Sequence, residues 1–318
     1  MPRIRAISIV VPPLLLLAAW PAAAPARAQS SRATDSRLDS GVKGPTDAEM
    51  RERRDALIAH QHADDEALNF YERIERRIER SGGPAPRVLA ERTYRVVPTG
   101  GGTMKILLRQ NGTSVNASDY RRQLLAWRDV LEMMSTPGDS KAAVARAKYE
   151  KRERDRSEFV NAAQNAFLPK WLGRETLRGY SCDVFELDPN PTFHPSSMVQ
   201  GALAHVTAKI WLDRESNQLV RGEAWVASNI SFVAGIAGKV DRGSRVEMDQ
   251  DAVAPGIWLP THYEYDFTGR KFVFPFAEHE TTEVSRYRRL GPPPAALAEV
   301  KNEIASGNHP VLNVIQDP

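Results

Sequence analysis

From Gly173 to Leu290 the chain alternates short apolar-rich runs with turn residues, and this pattern limits what it can become. The strand candidates are Tyr180–Leu187, Leu203–Asp213, Leu219–Ser228, Ile230–Ala234, Ser244–Val253, Ile257–Phe267, Lys271–Phe276 and Thr281–Arg289. Asp188-Pro189-Asn190-Pro191, Asp213 to Asn217, Ala254-Pro255-Gly256 and Thr268-Gly269-Arg270 supply the turns between them. Consecutive strands on short connections form an antiparallel meander. In Val206, Ala208, Ile210 and Leu212 one face is apolar, while Lys209 points the other way. Trp211, Trp225 and Trp258 add large rings, so such a sheet must curl around something or be covered.

Helical signals flank this stretch. Thr46-Asp47-Ala48-Glu49 is a capping box, and the helix it opens is read as running to Arg80, where Ser81-Gly82-Gly83-Pro84 stops it. Its apolar face is drawn from Leu68, Tyr71, Ile74 and Ile78. Val88–Val97, Gly100-Gly101-Gly102 and Met104–Leu108 read as a hairpin. Tyr120, Leu124, Trp127, Leu131 and Met134 recur at helical spacing after a cap near Ser118. Asp139–Lys170 reads as a long, charged, exposed helix with Phe159, Ala163 and Phe167 as its apolar contacts. Leu297, Val300 and Ile304 mark a short helix after Gly291-Pro292-Pro293-Pro294.

The N-terminus carries an export signature. Arg3 and Arg5 precede the apolar run Ala6–Trp20, and Ala26-Arg27-Ala28 is an A-x-A cleavage pattern with Gln29 as the mature start. Fifteen residues broken by Pro12 and Pro13 fall short of the ~20 that span a bilayer. The expected location is therefore the periplasm, or outside the cell, with no membrane-spanning segment. The net charge of +3 comes from this leader. Without Met1–Ala28, which holds Arg3, Arg5 and Arg27 and no acid, 40 cations face 40 acids. A neutral chain has no global attraction for nucleic acid. Cys182 is the single cysteine, so no internal disulfide forms; it is expected to be a small buried apolar residue.

The expected organisation is a signal peptide at 1–28, a flexible lead-in at 29–45 and an N-terminal helix at 46–84. A sheet domain follows at 85–290, with a helical insertion at about 118–172, and then a C-terminal helix and tail at 291–318.

Catalytic and metal motifs are weak. His60/Asp64 and His62/Glu66 are i,i+4 pairs without a third ligand and read as surface helix pairs. His279-Glu280-Thr281-Thr282-Glu283 lacks the second histidine of a zinc protease motif. Asp183 occupies a glycine position of the nucleophile elbow, and Gly238-Lys239-Val240 lacks the hydroxyl of a phosphate loop. Glu264 and Asp266 share one strand face, a spacing common to any strand with acids at i and i+2. No cofactor and no metal are expected.

Residues Gly179 to Pro189 (GYSCDVFELDP), Ala208 to Asp213 (AKIWLD), the return Leu219-Val220-Arg221, and Val253 to Pro260 (VAPGIWLP) leading into Tyr263 and Tyr265 form a connected pattern. It resembles bacterial envelope proteins of the LolA/LolB/RseB-like superfamily, with a charged helical insertion before the G-x-x-C strand. The resemblance implies an α+β fold: a curved antiparallel sheet, an unclosed half-barrel, with helices on its concave side. In the lipoprotein carriers of outer membrane sorting that concavity is apolar and receives acyl chains. The resemblance therefore implies a non-catalytic periplasmic carrier or binding protein for a lipid, lipoprotein or other apolar envelope ligand. Ile210, Leu212, Trp225 and Phe232 are the candidate lining residues. The alternative is an envelope interaction or sensor protein, with the sheet as scaffold and the charged helix as the contact surface for a protein partner.

Overall fold

The computed structural model describes residues 38–39, 41, 43–82, 85–232, 238–309 and 311; the Met1–Ala28 leader lies outside them. Helix α1 (Asp47–Leu68) starts as its sequence dictates. The Thr46 hydroxyl accepts the Glu49 N–H, and the Glu49 carboxylate accepts the Thr46 N–H at 2.6 Å. The helix ends at Leu68, not Arg80, because the chain reverses at Asn69-Phe70 and continues as strand β1 (Tyr71–Ser81). The 3- and 4-residue spacing of Tyr71, Ile74 and Ile78 fits a helix. The strand wins because both of its edges find partners in the sheet, a tertiary gain that local spacing does not register. The lead-in is also less free than expected where it is described: Asp39 and Arg174 exchange main-chain hydrogen bonds at 2.8 and 3.1 Å.

Strands β2 (Val88–Pro98) and β3 (Thr103–Gln110) form the expected hairpin, followed by the short β4 (Thr113–Ser114). Helix α2 (Ala117–Ser135) is capped by Asn116, whose side chain accepts the Asp119 N–H at 2.8 Å. Its predicted stripe is buried throughout, with Tyr120, Leu124, Trp127 and Leu131 fully enclosed. Helix α3 (Ser140–Ala166) is charged along most of its length and buries only Ala142, Val160, Ala163 and Ala166. Phe167, read as its last contact, instead begins strand β5 (Phe167–Leu177), so the helical insertion ends sooner than 172.

The remaining strands follow the turn punctuation: β6 (Tyr180–Pro189), β7 (Val206–Asp213), β8 (Leu219–Val226), β9 (Ile230–Phe232), β10 (Gly238–Val240), β11 (Arg245–Ala254), β12 (Ile257–Lys271) and β13 (Phe274–Arg289). A short helix α4 (Met198–Gly201) precedes β7, and α5 (Pro293–Ser306) follows β13. Lys271–Phe276 and Thr281–Arg289 are not separate strands. From Phe274 onward they are one long strand, because β12 partners Phe274–Glu283 and β1 partners the strand from Glu278 to Arg289.

All ladders are antiparallel, in the order β4-β3-β2-β1-β13-β12-β11-β8-β7-β6-β5, with β9 and β10 alongside β12. The end strands β4 and β5 do not pair with each other, so the sheet is unclosed, and the α+β class read from sequence is the one the chain forms. The first strand lies beside the last, in the middle of the sheet.

Register assigns the two faces. Met248, Tyr263, Thr282 and Arg77 lie opposite one another across β11, β12, β13 and β1, on one face. Their sequence neighbours point the other way. On this first face, α1 and α3 pack over Ala208, Ile210, Leu212, Ala224 and Met248. On the second face, Ser285, Ile74, Arg95 and Ile106 lie in one row, and α2 and α5 pack there with Val97 and Leu108. Helices therefore cover both faces, one pair over each end of the sheet. Each fully buried leucine or isoleucine contributes about 1.5–3 kcal/mol to these contacts.

Candidate functional site

Two apolar cavities lie against the sheet under α3, and α1 borders only the first of them. One, of about 130 Å³, is bounded by Met50 and Leu57 of α1, Val160 of α3, and Phe185, Ile210 and Leu212 of the sheet. The other, of about 180 Å³, is bounded by Phe159 of α3 with Val206, Ala224, Trp225, Phe232 and Phe267. Of the four residues singled out from sequence, Ile210 and Leu212 line the first and Trp225 and Phe232 the second. All four join one apolar cluster, Ile210 and Leu212 buried and the two aromatics partly accessible. The structure thus brings the four into one cluster but not into one cavity, and α3 borders both cavities.

Polar contacts that the sequence hides hold the two helices on this face. Buried within α1 are Leu57, Gln61 and Asp64, at spacings of 4 and 3, the same stripe geometry as in α2 but two-thirds polar. Gln61 donates to Gln250 at 3.0 Å, both buried. Asp64 accepts the main-chain N–H of Trp258 at 2.9 Å. The i,i+4 spacing alone places Asp64 in a surface pair with His60, and the structure differs. Asp64 is buried at 3% exposure because β12 brings an otherwise unpaired backbone donor to it. Burial pushes its carboxyl up to about 6 against that hydrogen bond. The neighbouring Asp65 pairs with Arg156 of α3. Burial outweighs that arginine and raises Asp65 to about 7.

Near the N-terminal end of α1, Arg53 pairs at 2.8 Å with Asp183, whose side chain is 2% exposed. Asp183 also receives the Trp171 ring N–H at 3.2 Å and meets Arg174 at 3.3 Å. Asp183, which does not form a nucleophile elbow, lies inside β6 opposite Leu212, on the first face, and works as an anchor for α1. A lone acid among apolar strand residues, Cys182-Asp183-Val184-Phe185, was the available signal.

Elsewhere the chemistry is structural. Cys182 is buried as expected, which pushes its thiol up to about 12. Glu223 is lifted to about 7 by burial with Glu247 beside it, on the second face and away from both cavities. Glu264 pairs with Arg245 at 2.9 Å and approaches His279 at 3.6 Å, all on paired strands. Gly238-Lys239-Val240 is β10 rather than a phosphate loop. Among the described residues no group of three or more His, Cys, Asp or Glu side chains is placed to hold a metal ion. A third cavity, of about 290 Å³, lies where α1 ends, the β2–β3 hairpin turns and α5 begins; Asn69, Phe70, Gly100, Tyr149 and Pro293 border it. It is larger, but turns and chain reversals form much of its wall.

The fold and these cavities define an α+β protein with an unclosed antiparallel sheet that shelters apolar space beneath two polar-anchored helices. No family model matches the chain, and no curated protein matches it. Three solved structures are similar. A domain described as an outer membrane lipoprotein-sorting protein, from Vibrio parahaemolyticus, has 8% identity and a TM-score of 0.31, covering 74% of this chain and 93% of that one. A DUF1329 family protein from Desulfovibrio piger has 11% identity and a TM-score of 0.30, covering 75% and 92%. A LolA superfamily protein from Nitrosomonas europaea has 10% identity and a TM-score of 0.29, covering 72% and 93%. Among the described residues no helix is long and apolar enough to cross a membrane.

Proposed function

We propose that the chain is a non-catalytic carrier or binding protein of the bacterial periplasm for a lipid or acylated ligand, taken up between the first face of the sheet and helices α1 and α3. The observation that carries this reading is the pair of apolar cavities that α3 borders, which Ile210, Leu212, Trp225 and Phe232 help to line. Each cavity alone is smaller than the roughly 300–1,000 Å³ of a site for a drug-sized ligand. Uptake of an acyl chain therefore requires α3 to withdraw and merge them. The helix suits that movement: apart from Ala142 in its first turn, its buried residues are only Val160, Ala163 and Ala166 near the C-terminal end, and Arg156–Asp65 is its ion pair to α1. A buried acyl chain gains about 0.8 kcal/mol per methylene, so affinity needs no catalytic or charged group.

The test is native mass spectrometry of the protein purified from the envelope, followed by organic extraction. A co-purifying lipid or acylated peptide names the ligand class. A clean apo mass, unshifted by added phospholipid or acyl-peptide, sinks the carrier reading and leaves the charged surface of α3 as a contact site for a protein partner.

A further inference from the structure

Phe272, Val273 and Phe274, at the turn between β12 and β13, are 63%, 80% and 72% exposed. Among the described residues no other three consecutive large apolar side chains are exposed. The turn lies beyond the part of β12 that β11 flanks, with β10 as its neighbour up to Lys271. Asp266 is the last β12 residue flanked on both sides by β11 and β13, through Arg245 and His279. Beyond it the strand runs five residues further to Lys271, roughly 17 Å at strand rise. The extension is stiff. Strand β10 pairs with it from Gly269 to Lys271, and β9 pairs with β10. The approach at Gly269 is so close that an added Cβ would sit 2.1 Å from the Lys239 carbonyl oxygen.

The turn chemistry is costly. Phe272 has φ of 55°, in the left-handed region where two-residue hairpins place asparagine or glycine. A bulky aromatic there is strained, and at this exposure it gains little packing in return. The rest of the finger is cationic: Lys239, Arg242, Arg270 and Lys271 outnumber Asp241 and Glu278. The Lys271–Glu278 pair is exposed and long, at 3.6 Å, so it is readily exchanged for another anion.

We propose that this finger docks the protein on an anionic lipid surface, with Phe272, Val273 and Phe274 entering the headgroup–acyl boundary and Arg270 and Lys271 meeting lipid phosphates. A stiff convex tip with aromatic rings above basic residues suits a deformable interface, whereas a protein partner would have to offer a matching groove. The inference is independent of the carrier reading, since the tip lies outside both cavities.

The experiment is co-sedimentation of the chain from Gln29 onward with vesicles of phosphatidylglycerol and phosphatidylcholine in equal parts, beside vesicles of phosphatidylcholine alone. Binding should be salt-sensitive and stronger on the anionic vesicles. Replacing both rings (Phe272→Ser with Phe274→Ser) should weaken it by about tenfold or more. That variant should keep the wild-type Tm, because neither ring is part of the core. In a second measurement, Val273→Cys carries an environment-sensitive fluorophore, Cys182 being buried; its emission should shift to the blue on the anionic vesicles. Failure of the wild-type chain to sediment, equal sedimentation of the double variant, or an unshifted emission each overturns the proposal. Acyl-ligand binding by the double variant should be unchanged, which separates failure of this inference from failure of the carrier reading.

Discussion

Asp64, near the C-terminal end of the charged helix α1, accepts the main-chain N–H of Trp258 at 2.9 Å. Beside it, Asp65 pairs with Arg156. These two acids tie α1 to the sheet and to α3, and burial raises both above the ordinary carboxylate range, to about 6 and about 7. A folded-state value raised above the unfolded one means that the folded chain holds the proton more tightly. The stability involved is fully present below about pH 4 and is lost as pH rises through about 6 and 7. Helix α1 should therefore open more readily at about pH 8 than at about pH 5. Amide exchange of α1, corrected for intrinsic rates, measures this. Asp64→Asn should flatten the lower part of the profile; protection that stays constant with pH would show that α1 is held by other means.

Asp183 should be the costliest acid to remove on the first face. Its side chain is 2% exposed and faces Arg53, Arg174 and Arg214. Asp183→Ala leaves those cations clustered without their anion and should destabilise the chain by about 3–5 kcal/mol in urea unfolding. Arg53→Gln removes one partner of several and should cost less than half of that. Equal costs would mean that Asp183 owes its effect to the Arg53 contact alone.

Ala163, on α3, lines the smaller cavity at 7% exposure. Ala163→Leu fills space without adding a polar atom, and overpacking should cost no more than about 1–3 kcal/mol. Displacement of a fluorescent fatty acid should then require about tenfold more competitor, a loss equivalent to about 1.4 kcal/mol. Unchanged affinity in a stably folded variant would place the ligand elsewhere.

Arg95 provides a control on the other face. It is 2% exposed and donates to Glu72 at 2.7 Å, Tyr120 at 2.8 Å and Glu303 at 2.7 Å, linking β1, α2 and α5. Arg95→Met removes the buried cation that Glu72 and Glu303 share, leaving Glu72 to Arg288 and Glu303 to the Tyr120 hydroxyl, and should cost about 3 kcal/mol, lowering Tm by several degrees. Acyl-ligand affinity measured well below that Tm should stay at the wild-type value. A parallel loss of affinity would show that the two faces are coupled.

How legible the protein is from its sequence depends on whether a residue's role is local. The α2 stripe from Tyr120 to Met134 and the Thr46–Glu49 capping box declare themselves because period and cap chemistry act within a few residues. The turns after β6, β7 and β11 follow from proline, glycine and asparagine for the same reason. Strand β1 does not declare itself. Its sequence Tyr71 to Ser81 is dense with charge, and charges such as Arg76 and Arg77 become acceptable only beside a partner from another strand, Glu91 and Glu280 respectively.

Short-range chemistry along the chain thus sets the strand-rich α+β class, the helix caps, the α2 and α5 stripes and the apolar character of Ile210, Leu212, Trp225 and Phe232. Tertiary structure alone decided that β1 leaves α1 to lie between β2 and β13, that helices cover both faces, and that Gln61, Asp64 and Asp183 are anchors rather than surface. The physical reason is range. Caps, turns and periodicity are settled by neighbours a few residues away, whereas a buried polar group is stable only where a distant segment supplies its hydrogen bond or counter-charge. For Asp64 that segment is β12, 194 residues further along the chain.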